Sequence, residues 1–401
     1  MEVWERILEM TSFTEIMEDP GSLLMLAIAG FLLFLGIRKR YEPLLLIPIG
    51  FGIMLANIPG GNMHVISSME NSEMGKMSLV EIASTSGIMN MLYFALIKTG
   101  LLPPLIFMGV GAMTDFGPML RNLRLAFFGA AAQLGIFSVL IFAVLVGFSV
   151  KEAGALGIIG GADGPTAIYT AIILAPHLLG PIAIAAYSYM ALVPFIIPLV
   201  VRYTTTNKEL MIHMKKEEVN HPANYKIKDL KRAKVIFPIA LAIVICLLVP
   251  SATPLVGMLL FGNLVKEIGS DTNRLFEAAS STIMNTATIF LGLTVGATMT
   301  SASFLNTQTL LIIVGGFIAF CISIVGGIGA VKIVNLFSKR KINPLIGATG
   351  LSAVPMASRV ANEIALRHDP SNHILQYAMS SNISGVIGSA VAAGILISFL
   401  G

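Results

Sequence analysis

The sequence predicts an all-α polytopic membrane protein with an inverted-topology internal repeat and two discontinuous or re-entrant helical hairpins. Three observations predict it. Of 401 residues, 55% are hydrophobic and only 12% charged, and the mean hydropathy is +0.84. A soluble domain is about 25% charged. Apolar runs of near-spanning length recur along the chain, and a bilayer core takes about 20 helical residues. Finally, Gly160-Gly161-Ala162-Asp163-Gly164-Pro165 puts one carboxylate among helix breakers inside an apolar region. A charge at membrane depth costs about 3 kcal/mol or more, so an ionisable residue there marks a functional site. Broken backbone at that depth is tolerated only where it packs in protein or lines a cavity.

Taken in order, residues 1–21 read as an acidic amphipathic segment with Trp4, Ile7, Leu8 and Ile16 as apolar positions. It lacks the basic start and compact apolar core of a signal peptide, and an interfacial helix fits it. Residues 22–100 hold scaffold spans at 22–37 and 43–58, then a polar segment, 60–85, expected outside or at the interface. Residues 101–201 form a first repeat with spans 101–118, 125–147 and 180–201 around a broken hairpin at 153–176. The loop 202–234 carries nine Lys or Arg against four acids. Residues 235–275 return to scaffold, with apolar runs at 235–250 and 254–267. Residues 276–401 form a second repeat with spans 277–304, 308–336 and 376–399 around a second broken hairpin at 344–366. Basic clusters at Arg38-Lys39-Arg40, Arg121 with Arg124, 202–234 and Lys339-Arg340-Lys341 belong on the cytoplasmic side. The net charge of +4 is small and lies in loops, so nucleic acid is not implied. Cys246, Cys321 and the six scattered histidines show no metal-ligand spacing.

The repeat is visible in short strings. Gly109-Val110-Gly111-Ala112-Met113-Thr114 matches Thr294-Val295-Gly296-Ala297-Thr298-Met299-Thr300, and Gly161-Ala162-Asp163-Gly164 matches Gly347-Ala348-Thr349-Gly350 at nearly the same offset. The charges invert between copies. Arg121 and Arg124 have no charged counterpart near Asn306-Thr307-Gln308, and Lys339-Arg340-Lys341 faces only Lys151 with Glu152 in the first copy. Inverted repeats with paired broken helices are the architecture of alternating-access carriers, with the ion held where the breaks meet. An elevator-type motion against a fixed scaffold fits that plan.

Three segments, GGADGPTAIYTA (160–171), NPLIGATGLSAVPMASRVAN (343–362) and SNISGVIGSAVAAG (381–394), resemble the beta subunit of the sodium-pumping, biotin-dependent decarboxylases of oxaloacetate, methylmalonyl-CoA or glutaconyl-CoA. The resemblance runs from about residue 20 to the C-terminus. It implies a multi-pass subunit of the cell (inner) membrane that decarboxylates carboxybiotin, consumes a proton and exports Na+. It also implies partners: biotin carrier and carboxyltransferase subunits, a small membrane gamma or delta subunit, and a homotrimer. No segment of this chain offers a biotin-carrying lysine in a soluble lobe. The family's functional residues fall on Asp163, Tyr189, Asn343, Gly347, Ser352, Arg359 and Asn382.

Each has a plainer reading beside the functional one. Asp163 is either a turn residue or a Na+ ligand that takes a proton when the ion leaves. Asn343 and Asn382 either bond across helices or give neutral oxygens to a cation shell. Gly347 allows close approach or exposes a carbonyl, and Ser352 is a helix-start hydroxyl or a ligand. Tyr189, with Tyr187, is an aromatic-belt residue, a proton donor or an ion ligand. Arg359 either pairs with Glu363 at i+4, or grips the carboxylate of carboxybiotin with its bidentate fork. Asp115 reads as a helix-end residue outside the site. Physics alone also admits a stand-alone Na+-coupled carboxylate carrier or Na+/H+ antiporter; the three motifs favour the decarboxylase subunit.

Overall fold

The computed structural model describes residues 11–12, 15–16, 19–40, 42–66, 76–221 and 227–401. Trp4, Ile7 and Leu8 of the amphipathic N-terminal segment lie outside the described residues. Those described form an all-helical protein with no strand among them. Its principal helices are α1 (Pro20–Ile37), α2 (Pro43–Ala56), α3 (Leu102–Met113), α4 (Leu123–Ala132), α5 (Leu134–Val146), α6 (Val150–Gly157), α7 (Gly164–Leu174) and α8 (Leu179–Thr204). After the basic connector come α9 (Leu230–Leu248), α10 (Met258–Ile268), α11 (Met284–Ala297), α12 (Thr307–Phe337), α13 (Leu345–Ala348), α14 (Met356–His368) and α15 (Leu375–Leu400).

Five helical stretches among the described residues are long and apolar enough to cross a membrane, and up to seven if two bent pairs each count as one span. α4 and α5 run on as one such stretch, Leu123–Val146, and Ser270–Ala297 ends in α11. Their outer faces carry large apolar side chains: Phe127 is 78% exposed, Leu145 80% and Phe337 87%. Faces of this kind suit lipid, where water would penalise them.

Local chemistry sets the helix ends. Asp19 caps α1 by accepting from the Gly21 N–H at 3.0 Å and the Ser22 hydroxyl at 2.6 Å, with Pro20 opening the helix. A further bond from the Ser301 hydroxyl, 2.9 Å, ties this cap to the turn after α11. The third span is longer than the sequence implied. A helical stretch Ile88–Ile97 precedes α3 and meets it at 63°. Gly100, at φ +70°, and Pro103-Pro104 at the start of α3 make that corner. α8 bends by 66° between Met190 and Leu192. Pro194 explains it, since its ring displaces the bond to the Met190 carbonyl four residues back.

Two helix crossings share one register. Where α2 meets α11, a Cβ on Gly52 would fall 2.4 Å from the Leu293 carbonyl oxygen, and one on Gly296 2.3 Å from that of Ile49. Where α3 meets α10, a Cβ on Gly111 would fall 1.8 Å from the Leu259 oxygen, and one on Gly262 1.9 Å from that of Met108. Met108 and Gly111 match Leu293 and Gly296 at the offset of the sequence repeat. Ile49 and Gly52 match Leu259 and Gly262 at a second common offset. An asparagine reinforces each crossing: Asn263 donates to the Thr114 carbonyl at 2.8 Å, and Asn57 to the Met299 carbonyl at 2.7 Å.

The remaining helices interlock the same way. α8 packs on α12 and α15 on α4; α6 lies on α5 and α13 on α12; α7 touches α15 and α14 touches α8. Each of the long closing helices, α8 and α15, therefore packs on the other half.

Overpacking a close crossing costs roughly 1–3 kcal/mol, and here backbone, which cannot swing aside, is what a side chain would strike. Gly111→Val is therefore expected to lower the melting temperature of the detergent-solubilised protein and its membrane yield sharply. Gly30→Val, at a position with nothing within 4 Å of a Cβ, is expected to leave both near wild type. Equal melting temperatures for the two variants would contradict the close crossing.

Candidate functional site

The site is built where the two broken hairpins touch. In the first, a single tight turn, Ile158–Gly161, follows α6. Ala162 then takes the left-handed conformation (φ 55°, ψ 44°) and Asp163 is extended (φ −125°, ψ 95°), so the chain restarts as α7 with Asp163 as its cap. In the second, residues 349–355 separate α13 from α14. The Ser352 N–H donates to the Gly161 carbonyl at 3.0 Å. Each break thus supplies a partner for backbone that a continuous helix would have satisfied internally.

Asp163 is 5% exposed. Its Oδ1 accepts from the Thr166 N–H at 3.2 Å, and its Oδ2 from the Ser389 hydroxyl of α15 at 2.6 Å. The Ser352 hydroxyl donates to Ser389 at 2.8 Å, so a relay Ser352–Ser389–Asp163 joins both hairpins and α15. The carboxylate also lies at the start of α7, where the helix dipole favours negative charge. Gly164 makes room for the ring of Tyr187, which a Cβ there would strike at 2.1 Å. The Tyr187 hydroxyl and Thr166 Oγ1 are buried without a partner among the described residues. Asp163, Tyr187, Ser352, Thr288 and Glu42 line one cavity of about 150 Å³, otherwise walled mainly by apolar side chains such as Leu45, Phe107, Val110 and Met190.

The other residues expected at the site are placed as follows. Asn382 holds the second break: its amide donates to the Leu351 carbonyl, next to Ser352, and its Oδ1 accepts from the Ser358 hydroxyl at 3.1 Å. Gly347 packs backbone to backbone on Gly327 of α12. Asn343 is buried one element earlier, donating to the Leu210 and Ile212 carbonyls at 2.8 and 3.1 Å and accepting from the Leu345 N–H at 3.0 Å. The Tyr189 hydroxyl bonds the Ile313 carbonyl, with its ring beside Phe317 and Phe320 of α12. Arg359 is exposed on α14, one turn beyond Pro355. The structure brings Asp163 and Ser352 together and sets Asn382 beside them. It turns the amide of Asn343 and the hydroxyl of Tyr189 to other partners.

Ser389, Thr166 and Glu42 went unread in the sequence. Asp115 stands apart, as expected, accepting from the Gly117 N–H at 2.8 Å and pairing with Lys234 at 2.6 Å. Partial burial raises its carboxyl pKa, but the bond to the Lys234 ammonium and the Gly117 N–H outweigh that, so it stays below the usual range. Among the described residues, no group of three or more His, Cys, Asp or Glu is arranged to hold a metal ion. Asp163 thus offers one carboxylate among neutral hydroxyl and backbone oxygens, and oxygen ligands of this kind suit hard cations.

The family described as the Na+-transporting oxaloacetate decarboxylase beta subunit matches residues 21–400. The methylmalonyl-CoA decarboxylase subunit beta of Propionigenium modestum is 47% identical over 388 residues, 96% of each chain. The oxaloacetate decarboxylase beta chain of Klebsiella pneumoniae is 43% identical over 424 residues, 95% of each chain. The methylmalonyl-CoA decarboxylase subunit beta of Veillonella parvula is 45% identical over 380 residues, covering 95% of this chain and 93% of its own. With the match running through both broken hairpins and α15, the chain belongs to the beta subunits of the Na+-transporting decarboxylases.

Proposed function

We propose that this chain decarboxylates carboxybiotin brought by a partner subunit and uses the reaction to export Na+ by way of Asp163. The observation that carries the reading is the buried carboxylate at the meeting of two broken hairpins, joined by hydroxyls to both. Carboxybiotin supplies a labile N–CO2⁻ bond: CO2 leaves, and the ureido nitrogen takes up one proton. In this reading Arg359, exposed on the helix that follows the second break, grips that carboxylate in bidentate fashion. Asp163 with Na+ bound, or with a proton bound, is neutral; empty and ionised it is a buried charge. Release of Na+ is thereby tied to proton uptake, and the Ser352–Ser389 relay gives the proton a path between the carboxylate and the second hairpin.

In this reading the ion shell draws on Asp163, Ser352 and backbone oxygens at the breaks, with Asn382 completing or orienting it. Asn343, Gly347 and Tyr189 join through the hairpins: Asn343 anchors the entry to the second, Gly347 seats it on α12, and Tyr189 holds α8 to α12. The matched crossings of α2 with α11 and α3 with α10 support an inverted duplication. They also tie α3 and α11, the opening spans of the two repeats, to the scaffold spans α10 and α2, so a motion of the hairpins would be relative to all four. The family resemblance adds the biotin carrier, the carboxyltransferase, a small membrane subunit and a trimer.

Asp163→Asn is expected to lower Na+-dependent decarboxylation of free carboxybiotin about 100-fold or more, because removing one partner of a buried ion pair costs about 3–5 kcal/mol. The complex should still assemble, since the amide keeps the shape. Wild-type rate and Na+ dependence in that variant would overturn the reading. Ser389→Ala removes a hydrogen bond to a charged group, worth about 1.5–3 kcal/mol. A rise of about tenfold or more in half-saturating Na+ is expected, with Ser389→Thr retaining most of the affinity. Retention on avidin resin together with a biotinylated partner separates this reading from a stand-alone carrier, which would pass through.

A further inference from the structure

The cavity that holds Asp163 has a second carboxylate in its wall that the mechanism above leaves idle. Glu42 stands in the turn between α1 and α2, immediately before Pro43, and lines the cavity with Asp163, Tyr187 and Ser352. It occupies the cap position of α2, yet its side chain makes no capping bond. Only burial acts on its carboxyl group, shifting its pKa upward, with no hydrogen-bonding or charged partner among the described residues. Its backbone is left-handed, at φ 37° and ψ 58°, a conformation that costs a side-chain-bearing residue roughly 1–2 kcal/mol. Strained residues of this kind concentrate at ligand sites, where the surroundings enforce them. A second, independent feature points to a ligand: the Tyr187 hydroxyl, on a residue 1% exposed, has no partner among the described residues and lies in the same wall.

We propose that Glu42 is a cation-loading carboxylate, which captures a hydrated monovalent alkali cation at the mouth of the cavity and presents it to Asp163. The inference rests on the reading of Asp163 as the Na+ ligand and extends that site outward. The two carboxylates belong to different parts of the fold. Asp163 is on a broken hairpin, while Glu42 is on the α1–α2 pair, which packs on α11. Loading and transport are therefore separate acts, one on each part. A cleft with a single sign of charge and low-dielectric walls concentrates counter-ions. The neighbouring Arg38, Lys39 and Arg40 are exposed, and no charged group among the described residues acts on the Glu42 carboxyl, which lines the cavity.

The experiment is a Na+ titration of free-carboxybiotin decarboxylation by the assembled complex. Glu42→Gln is expected to raise half-saturating Na+ about tenfold, the lower end of what such focusing supplies. The loss is read in that concentration, not in the rate at saturating Na+. Glu42→Asp, which keeps the charge, is expected to stay much closer to wild type. Added choline chloride should raise half-saturating Na+ in the wild type and narrow its gap to the glutamine variant. A purely structural role would not respond to choline in this way. Unchanged half-saturating Na+ in Glu42→Gln, or an aspartate variant as impaired as the glutamine one, overturns the proposal. If the glutamine variant does not assemble, a wild-type titration unmoved by choline does the same. Asp163→Asn is the control. Persisting Na+ dependence there overturns the reading on which this inference rests, whereas its loss alongside an unaffected Glu42→Gln titration overturns this inference alone.

Discussion

A carboxylate buried where two helices break is the constraint to which the rest of this structure answers. An unpaired charge in an apolar interior costs far more than one hydrogen bond returns, so Asp163 needs several compensations at once. It takes the Thr166 N–H, the Ser389 hydroxyl and the start of α7. The first and the last require the helix to stop and restart there, which is why Ala162 turns left-handed and Asp163 becomes a cap. A break in turn frees backbone groups, and buried backbone groups have to be paired. The second hairpin does this by sending the Ser352 N–H to the Gly161 carbonyl. Neither hairpin is a self-sufficient unit; each satisfies what the other leaves open.

Holding such hairpins in place needs close packing around them. Helices in lipid gain nothing from hiding apolar surface from one another, so contact depends on fit and on small residues. The glycine crossings of α2 with α11 and of α3 with α10 bring backbones to distances no side chain would allow. Asparagines from the partner helix then pin the ends of α3 and α11. The same economy recurs at the site, where Gly164 lets the Tyr187 ring lie against the start of α7.

What the sequence makes legible follows from rarity. A charge between Gly and Pro in an apolar run is uncommon, so Asp163 and both breaks could be read directly, as could most spans. Hydroxyls are common in membrane helices and usually bond their own helix, as Thr170 does to the Thr166 carbonyl and Thr288 to that of Met284. Nothing in sequence sets Ser389 apart from these; only the packing of α15 on the hairpins does. Tyr187 and Tyr189 are two residues apart and so face nearly opposite sides of α8. The structure turns Tyr187 to the cavity and Tyr189 to α12, a choice that depends on how α8 is rotated. Asn343 is tied to Leu210 and Ile212, carbonyls more than a hundred residues away in the chain. Glu42 hides beside a basic cluster and before a proline, where it reads as an ordinary helix start.

The position of a second carboxylate matters as much as its presence. A site with one carboxylate and neutral oxygens is neutral with a single Na+ and neutral with a single proton, so either form can move through a dry interior. Two carboxylates in the same shell would leave a net charge after one Na+ had bound, and moving that charge would carry the penalty the first avoids. A carboxylate that gathers cations is therefore useful only outside the moving shell, near enough to raise their local concentration. On the proposed reading, Glu42 at the head of α2 and Asp163 at the head of α7 meet that requirement. They share one cavity but not one helix pair, so in that reading the loading charge would stay behind when the loaded site departs.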